Sequence, residues 1–400
     1  MPIKIKVENL YKIFGHKPKK VLQMLAEGVD KDAIYKRTGM TVAVQDASFE
    51  VMTGEIFVIM GLSGSGKSTM VRMLNRLIEP TSGHVFIDGQ DVASMSDAEL
   101  VEVRRKKMSM VFQSFALMPH MNVLENAAFG LEMAGIDRET RNERAMAALE
   151  QVGLQTYAKS SPNELSGGMQ QRVGLARGLA VDPDVLLMDE AFSALDPLIR
   201  CEMQDELLKL QAKHKRTIIF ISHDLDEAMR IGDRIAIMEG GRVVQIGTPE
   251  DILQNPADSY VEAFFRGVDP TNILTAGDIA RNTQVTLVRH PGGGPRAALQ
   301  RMANADRDYG YILDVDKKFV GIVSADSLRE LIDSPADDKD ITQALLGEAQ
   351  AVQAKDSMQE ILPEITSKPW PVPVLDADGR YLGAVSKNHF LRTLQRSQNS

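Results

Sequence analysis

The chain of 400 residues is 44% apolar and 25% charged, with a formal net charge of −9, which suits a soluble globular protein of two or three domains. The negative balance speaks against a general nucleic-acid binder, which carries a basic footprint. A lone cysteine, Cys201, allows neither an internal disulfide nor a cysteine-built metal site and fits a reducing compartment. No apolar run approaches the ~18 residues of a membrane span, so work at a membrane is expected to go through a partner. The N-terminus, Met1-Pro2-Ile3-Lys4-Ile5-Lys6-Val7, alternates like an edge strand and does not read as a signal segment.

In chain order, residues 3–14 read as a strand ending in Leu10-Tyr11-Lys12-Ile13-Phe14. An aromatic there can stack on an adenine ring or pack in the sheet, and spacing alone favours packing. Residues 17–40 are charged, with short helices expected at 21–27 and 30–37; they read as a surface insertion, with a partner-docking helix as the alternative. After a strand at 42–51, the apolar run Glu55-Ile56-Phe57-Val58-Ile59-Met60 leads into Gly61-Leu62-Ser63-Gly64-Ser65-Gly66-Lys67-Ser68-Thr69. This fits G-x-x-x-x-G-K-[ST] between a strand and a helix, the phosphate-binding loop. Its backbone N–H groups can surround phosphate oxygens at the positive end of the helix dipole. Lys67 is expected to reach the β- and γ-phosphates, and the Ser68 hydroxyl to hold Mg²⁺.

Met108-Ser109-Met110-Val111-Phe112 reads as a strand ending at Gln113, followed by the apolar stretch Ser114-Phe115-Ala116-Leu117-Met118-Pro119, which is either buried or a docking surface. Helices follow near 122–134 and 138–152. Leu165-Ser166-Gly167-Gly168-Met169-Gln170 then opens a helix and gives a second anion site of free amides, hydroxyl and dipole. Val185-Leu186-Leu187-Met188 delivers Asp189 and Glu190 at a strand end. Asp189 suits Mg²⁺, and Glu190 is placed to polarise a water for attack on the γ-phosphate. Ser193-Ala194-Leu195-Asp196-Pro197 enters a helix, and the strand Thr217-Ile218-Ile219-Phe220-Ile221 ends at Ser222-His223-Asp224.

Taken together, the phosphate loop, Gln after a strand, L-S-G-G-x-Q, D-E, S-A-L-D and S-H-D resemble the ATP-binding subunit of ABC transporters, over about residues 3–265. The resemblance implies an α/β P-loop NTPase domain (1–267) with a mixed sheet, a helical subdomain at about 114–180 and the 17–40 insertion. It also implies a head-to-tail dimer with a second copy, holding two ATP molecules between subunits. The loop Gly61 to Thr69 would wrap ATP, while Leu165, Ser166, Gly167, Gly168 and Gln170 of the other copy close on its γ-phosphate. Asp189 with Ser68 would serve Mg²⁺, Glu190 would be the general base, and His223 the γ-phosphate switch. Gln113 would touch metal and water and report to the permease, and Ser193 and Asp196 would pass signals between sites. Phe14, or alternatively Tyr11, would stack on adenine, although the insertion lengthens the stretch from Phe14 to Gly61 beyond the usual pattern.

The insertion, with Phe112-Gln113-Ser114-Phe115-Ala116-Leu117-Met118-Pro119-His120 and Met188-Asp189-Glu190-Ala191-Phe192-Ser193-Ala194-Leu195-Asp196-Pro197-Leu198-Ile199-Arg200, resembles the ATPases of quaternary-amine osmoprotectant importers for glycine betaine and proline betaine. That implies an integral-membrane permease partner, an indirect link to a solute-binding protein, and a peripheral place on the cytoplasmic face of the membrane. An importer ATPase for choline, carnitine or an amino acid is one alternative. A soluble ABC-type ATPase is another, though such proteins carry coiled-coil insertions, zinc cysteines or two ATPase halves that this chain lacks.

Beyond Gly267-Val268-Asp269-Pro270, read as a linker, Asp314 to Ser324 aligns with Asp376 to Ser386. The two copies (272–334 and 335–396) resemble a tandem CBS pair of α+β units, here an expected osmotic or ionic-strength regulator. The acidic residue such pairs use for adenosine ligands is replaced by Ser327 and His389.

Overall fold

The computed structural model describes residues 2–112, 116–193, 195–265, 271, 273–288, 294–335, 340–347 and 349–399, without the side chains of 214 and 395–399. Gln113, the site residue expected after the strand at 108–112, lies outside the described residues. So do Ala194 and the linker at 267–270. The chain divides into two compact units, 1–261 and 262–400. No helix among the described residues is long and apolar enough to cross a membrane.

The first unit holds two sheets. One is antiparallel, in the order Thr41–Met52, Ile3–Phe14, Ser82–Ile87, Gln90–Asp91. The other has six strands in the order Arg242–Gly247, Arg234–Glu239, Ile56–Met60, Thr217–Ile221, Val185–Asp189, Met108–Val111. All its pairings are parallel except the first. Three of these strands, Ile56–Met60, Val185–Asp189 and Thr217–Ile221, are buried at every position. Continuous apolar runs of this kind suit a parallel sheet covered on both faces. Ile5, Val7, Leu10, Val44 and Phe49 of the antiparallel sheet meet Phe57, Ile59, Met70 and Leu74 in one core. There the Phe49 and Phe57 rings stack at 5.3 Å.

Register sets the site. Ile59 pairs with Ile221, and Asp189 also pairs with Ile221, so Gly61, Glu190 and Ser222 leave one carboxyl edge together. Open α/β sheets place their ligands at that edge.

The insertion forms two helices, Pro18–Ala26 and Lys31–Thr38. Val21 and Ile34 are buried against Ile13, Met40 and Val42, so the insertion has its own small core on the strand ends. Three further helices, Val123–Met133, Arg138–Gln151 and Gly167–Ala180, pack on one another. Asn126 is fully buried among them. Its amide donates to the carbonyls of Met118, Met121 and Asn122, and its Oδ1 accepts from the Met118 N–H. The described part of the apolar stretch before Asn122 is thereby fixed, with Leu117 and Met118 half-buried.

The second unit repeats one motif. Tyr309–Leu313 lies parallel to Val285–Val288 and antiparallel to Phe319–Ser324. Val372–Leu375 is likewise parallel to Val352–Gln353 and antiparallel to Tyr381–Val385. The two hairpins meet back to back, with Phe319 N–H bonded to the Gly379 carbonyl at 3.2 Å and Tyr381 N–H to the Lys317 carbonyl at 3.1 Å. The Tyr311 and Tyr381 rings pack at a tilt beside this seam, 5.5 Å between centroids.

The copies are contiguous in sequence but exchange their leading segments in space. Ala276–Ile279, at the start of the first copy, packs on the strands and last helix of the second. Arg281 and Ala384 exchange two backbone bonds of 3.0 Å. Ile341 and Ala344, at the start of the second copy, join the core of Ile312, Val323 and Leu328 in the first.

Candidate functional site

The phosphate loop requires backbone that only glycine supplies easily. Gly61 has φ +148°, and a Cβ there would stand 2.2 Å from the Met238 carbonyl oxygen. Gly66 has φ +100°, with the Ala43 carbonyl oxygen 2.3 Å from a Cβ. Helix Lys67–Leu74 starts directly after Gly66. The Lys67 ammonium is buried and donates to the carbonyls of Gly61 at 2.8 Å and Leu62 at 3.1 Å. Burial holds its pKa below the ordinary lysine value, against the pull of Glu190 and Asp189. Leu62, Ser63 and Gly64 at the tip are exposed.

Asp189 is almost wholly buried at the end of its strand. Its Oδ1 accepts from the Ser68 hydroxyl at 2.9 Å, and its Oδ2 from Arg72 Nη2 at 3.3 Å. Arg72 was not singled out from the sequence, although it lies four residues after Ser68 and so shares its helix face. Glu190 sits in the left-handed region, φ +48°, a conformation that costs a non-glycine residue roughly 1–2 kcal/mol. Such strain collects at functional sites. His223 Nδ1 stands 3.5 Å from Glu190 Oε2. Ser193 Oγ donates to the Glu190 carbonyl at 2.9 Å, so Ser193 is anchored on Glu190. Asp196 caps helix Pro197–His214 by accepting from Ile199 N–H.

Ser166 caps helix Gly167–Ala180 by accepting from Met169 N–H at 3.3 Å. Gln170 braces the turn before it through the carbonyls of Pro162 and Leu165. Gly168 lies against the first turn of helix Pro197–His214 and against Leu195 before it: a Cβ there would be 2.9 Å from Ile199 Cγ2 and 3.6 Å from Leu195 Cδ2. Phe14 is 42% exposed, with the Lys12 ammonium 5.0 Å over its ring. Tyr11 has its phenol near Asp46, and burial raises its pKa.

Within one chain, then, Gly61 to Thr69, Asp189, Glu190, Ser193 and His223 surround one sheet edge. Leu165 to Gln170 stand on a separate helix start that bonds only within its own turn in the contacts above. A phosphate loop, a buried acid and a strained carboxylate on a largely parallel sheet define a P-loop ATPase.

The ABC transporter family (ABC_tran) matches residues 44–193. The glycine betaine/proline betaine transport system ATP-binding protein ProV of Escherichia coli K12 is 60% identical over 99% of this chain and 98% of that protein. The glycine betaine transport ATP-binding protein OpuAA of Bacillus subtilis 168 is 51% identical over 98% of this chain and 93% of its own length. The dimeric ABC transporter cassette MJ0796 superposes with TM-score 0.52 and 33% identity, covering 61% of this chain and 98% of the cassette. The chain belongs to the ATP-binding subunits of ABC transporters, in the group that includes ProV and OpuAA, and such subunits hydrolyse ATP.

Proposed function

We propose that this chain is the ATP-hydrolysing subunit of an importer for glycine betaine- and proline betaine-type osmoprotectants. The observation that carries the reading is the convergence of Ser68, Asp189, Glu190 and His223 at the phosphate loop, in a chain alike from end to end to relatives named for that transport. ATP is the substrate, its phosphates held by Gly61 to Thr69 and its adenine by the exposed face of Phe14. Glu190 orients water and takes its proton, and His223 contacts the γ-phosphate and keeps the Glu190 carboxylate aimed. In the dimer, Ser166 to Gly168 of a second copy complete the γ-phosphate contacts, which supports two sites per pair.

Ser68 and Asp189 would hold Mg²⁺, with Gln113 as a third contact. A hydroxyl and a buried carboxylate 2.9 Å apart are hard oxygen donors, and the ion takes few protein ligands when phosphates supply the rest. When bound, the ion neutralises charge on the phosphates.

The permease partner would dock in a groove of about 340 Å³ lined by Asn75, Leu77, Val101, Arg104, Phe112 and Phe129. It is also lined by Gly130 and Arg177, from two of the three packed helices, and by Ser109 and Met110 of the strand that precedes Gln113. Such docking would place the chain peripherally on the cytoplasmic face of the membrane, with a solute-binding protein acting through the permease. The second unit would be a CBS-type pair that responds to ionic strength. Ser327, at the position acidic in adenosine-binding pairs, is spent on a reciprocal cap with Ser324, which supports a role other than nucleotide binding.

Glu190→Gln should still bind ATP, accumulate as an ATP-bound dimer and lose at least about 10²-fold in turnover. Brisk hydrolysis by that variant would remove Glu190 from the base role. Uptake of labelled glycine betaine by the chain reconstituted with its permease tests the substrate, and failure to transport it at any osmolarity would reject that assignment.

A further inference from the structure

The loop at 193–196 and the turn bearing His223 follow different strands, yet one side chain ties them. Arg200 donates through Nη1 to Asp224 Oδ2 at 2.7 Å and through Nη2 to the Leu195 carbonyl at 3.2 Å. Asp224 follows His223 directly and caps helix Leu225–Ile231 by accepting from Glu227 N–H at 3.3 Å. The contacts close a circuit. From Glu190 it runs along the chain to Phe192, whose carbonyl accepts from Leu195 N–H at 3.2 Å, from the Leu195 carbonyl to Arg200, on to Asp224, and through His223 back to the Glu190 carboxylate.

Other rungs join the same two helices without touching the loop: Gln204 to Glu227 at 3.2 Å, and Arg230 to Asp205 at 2.7 Å. Arg200 alone among these rungs reaches back past the helix start. A planar guanidinium fixes the directions of both its bonds, which a lysine cannot do. Leu195, whose carbonyl it holds, and Ile199 in the next turn lie against Gly168 of the signature helix.

We propose that Arg200 is a positioning residue for ATP hydrolysis, making Leu195 and the His223 turn move as one piece. A shift of the loop or of the signature helix, as ATP closes the partner's site, is thereby delivered to His223 at this chain's own site. The inference rests on the roles proposed above for Glu190 and His223.

The test compares ATPase kinetics of the full chain carrying Arg200→Ala, Arg200→Lys, Asp224→Asn, Arg230→Ala or Glu190→Gln. Arg200→Ala and Asp224→Asn should lower kcat about tenfold with KM for ATP within about twofold. Their combination should be no worse than either alone, because the two act as a unit. Arg200→Lys, able to reach one acceptor at a time, should recover part of the loss. Arg230→Ala, which cuts a rung away from the loop, should keep kcat. Equal losses in Arg230→Ala and Arg200→Ala would reduce Arg200 to a brace between helices and overturn the proposal. Full activity of Arg200→Ala and Asp224→Asn beside an inactive Glu190→Gln would overturn the clamp and leave the site reading intact. An active Glu190→Gln would bring down both.

Discussion

Both compact units run strands into helix starts, yet they spend the polar residues at those junctions in opposite ways. In the first unit Ser68, Asp189, Glu190 and His223 arrive from three strands and turn toward one another. In the second, the capping groups named next close on their own turns. Ser324 and Ser327 cap reciprocally, Ser357 and Glu360 form a capping box, and Asp314 and Asp376 each accept two N–H groups of their own hairpin. Local closure stabilises an element. Convergence from distant strands leaves groups with bonding capacity to spare for a substrate. The chemistry therefore belongs to the first unit, and the second is built to hold shape.

The sharpest way to break this comparison is to remove residues 271–400. Turnover should stay within about twofold, while its dependence on salt should disappear. Unchanged salt dependence would end the ionic-strength reading, whose physical basis is screening over ~8 Å at physiological salt. A smaller effect is expected from Tyr311→Phe. The Tyr311 hydroxyl donates to the Pro371 carbonyl across the seam of the copies, and burial raises its pKa above the ordinary tyrosine value. Losing that bond should cost the second unit about 1–2 kcal/mol in urea unfolding without changing kcat. A fall in kcat would show that the seam feeds the catalytic edge.

The smallest effect concerns Glu227, whose carboxyl is pushed above its ordinary 4.5 by burial, against the bonds from Ser222 and Gln204. The folded chain then holds this proton more tightly than the unfolded one. Its contribution is greatest below the unfolded pKa and is lost as pH rises from there through the folded value. Glu227→Gln should flatten that decline in melting temperature, and an unaltered pH profile would assign the decline elsewhere.

Much of the site was legible because its parts are local. The phosphate loop needs only its glycines, lysine and hydroxyl, and Asp189 and Glu190 announce themselves at the end of an apolar strand. Strands such as Ile56–Met60, Val185–Asp189 and Thr217–Ile221 were legible as apolar runs, whereas their order in the sheet was not. What stayed hidden depends on distance along the chain. Arg72 finds Asp189 across 117 positions, and Arg200 meets Asp224 across 24 and an intervening strand. Neither pairing leaves a spacing to read. The left-handed backbone at Glu190 is equally silent, since no glycine or asparagine marks it. Alignment of the two C-terminal copies reads each as contiguous, which conceals the exchange of their leading segments.

That exchange bears on how the chain is made. The first copy lacks part of its apolar core until Ile341 and Ala344 have left the ribosome, and the segment at 276–279 must wait longer still, for strands that end at Val385. Neither half is a finished folding unit during synthesis. The second unit is therefore expected to assemble late and in a single cooperative event, and loosening either half should melt both.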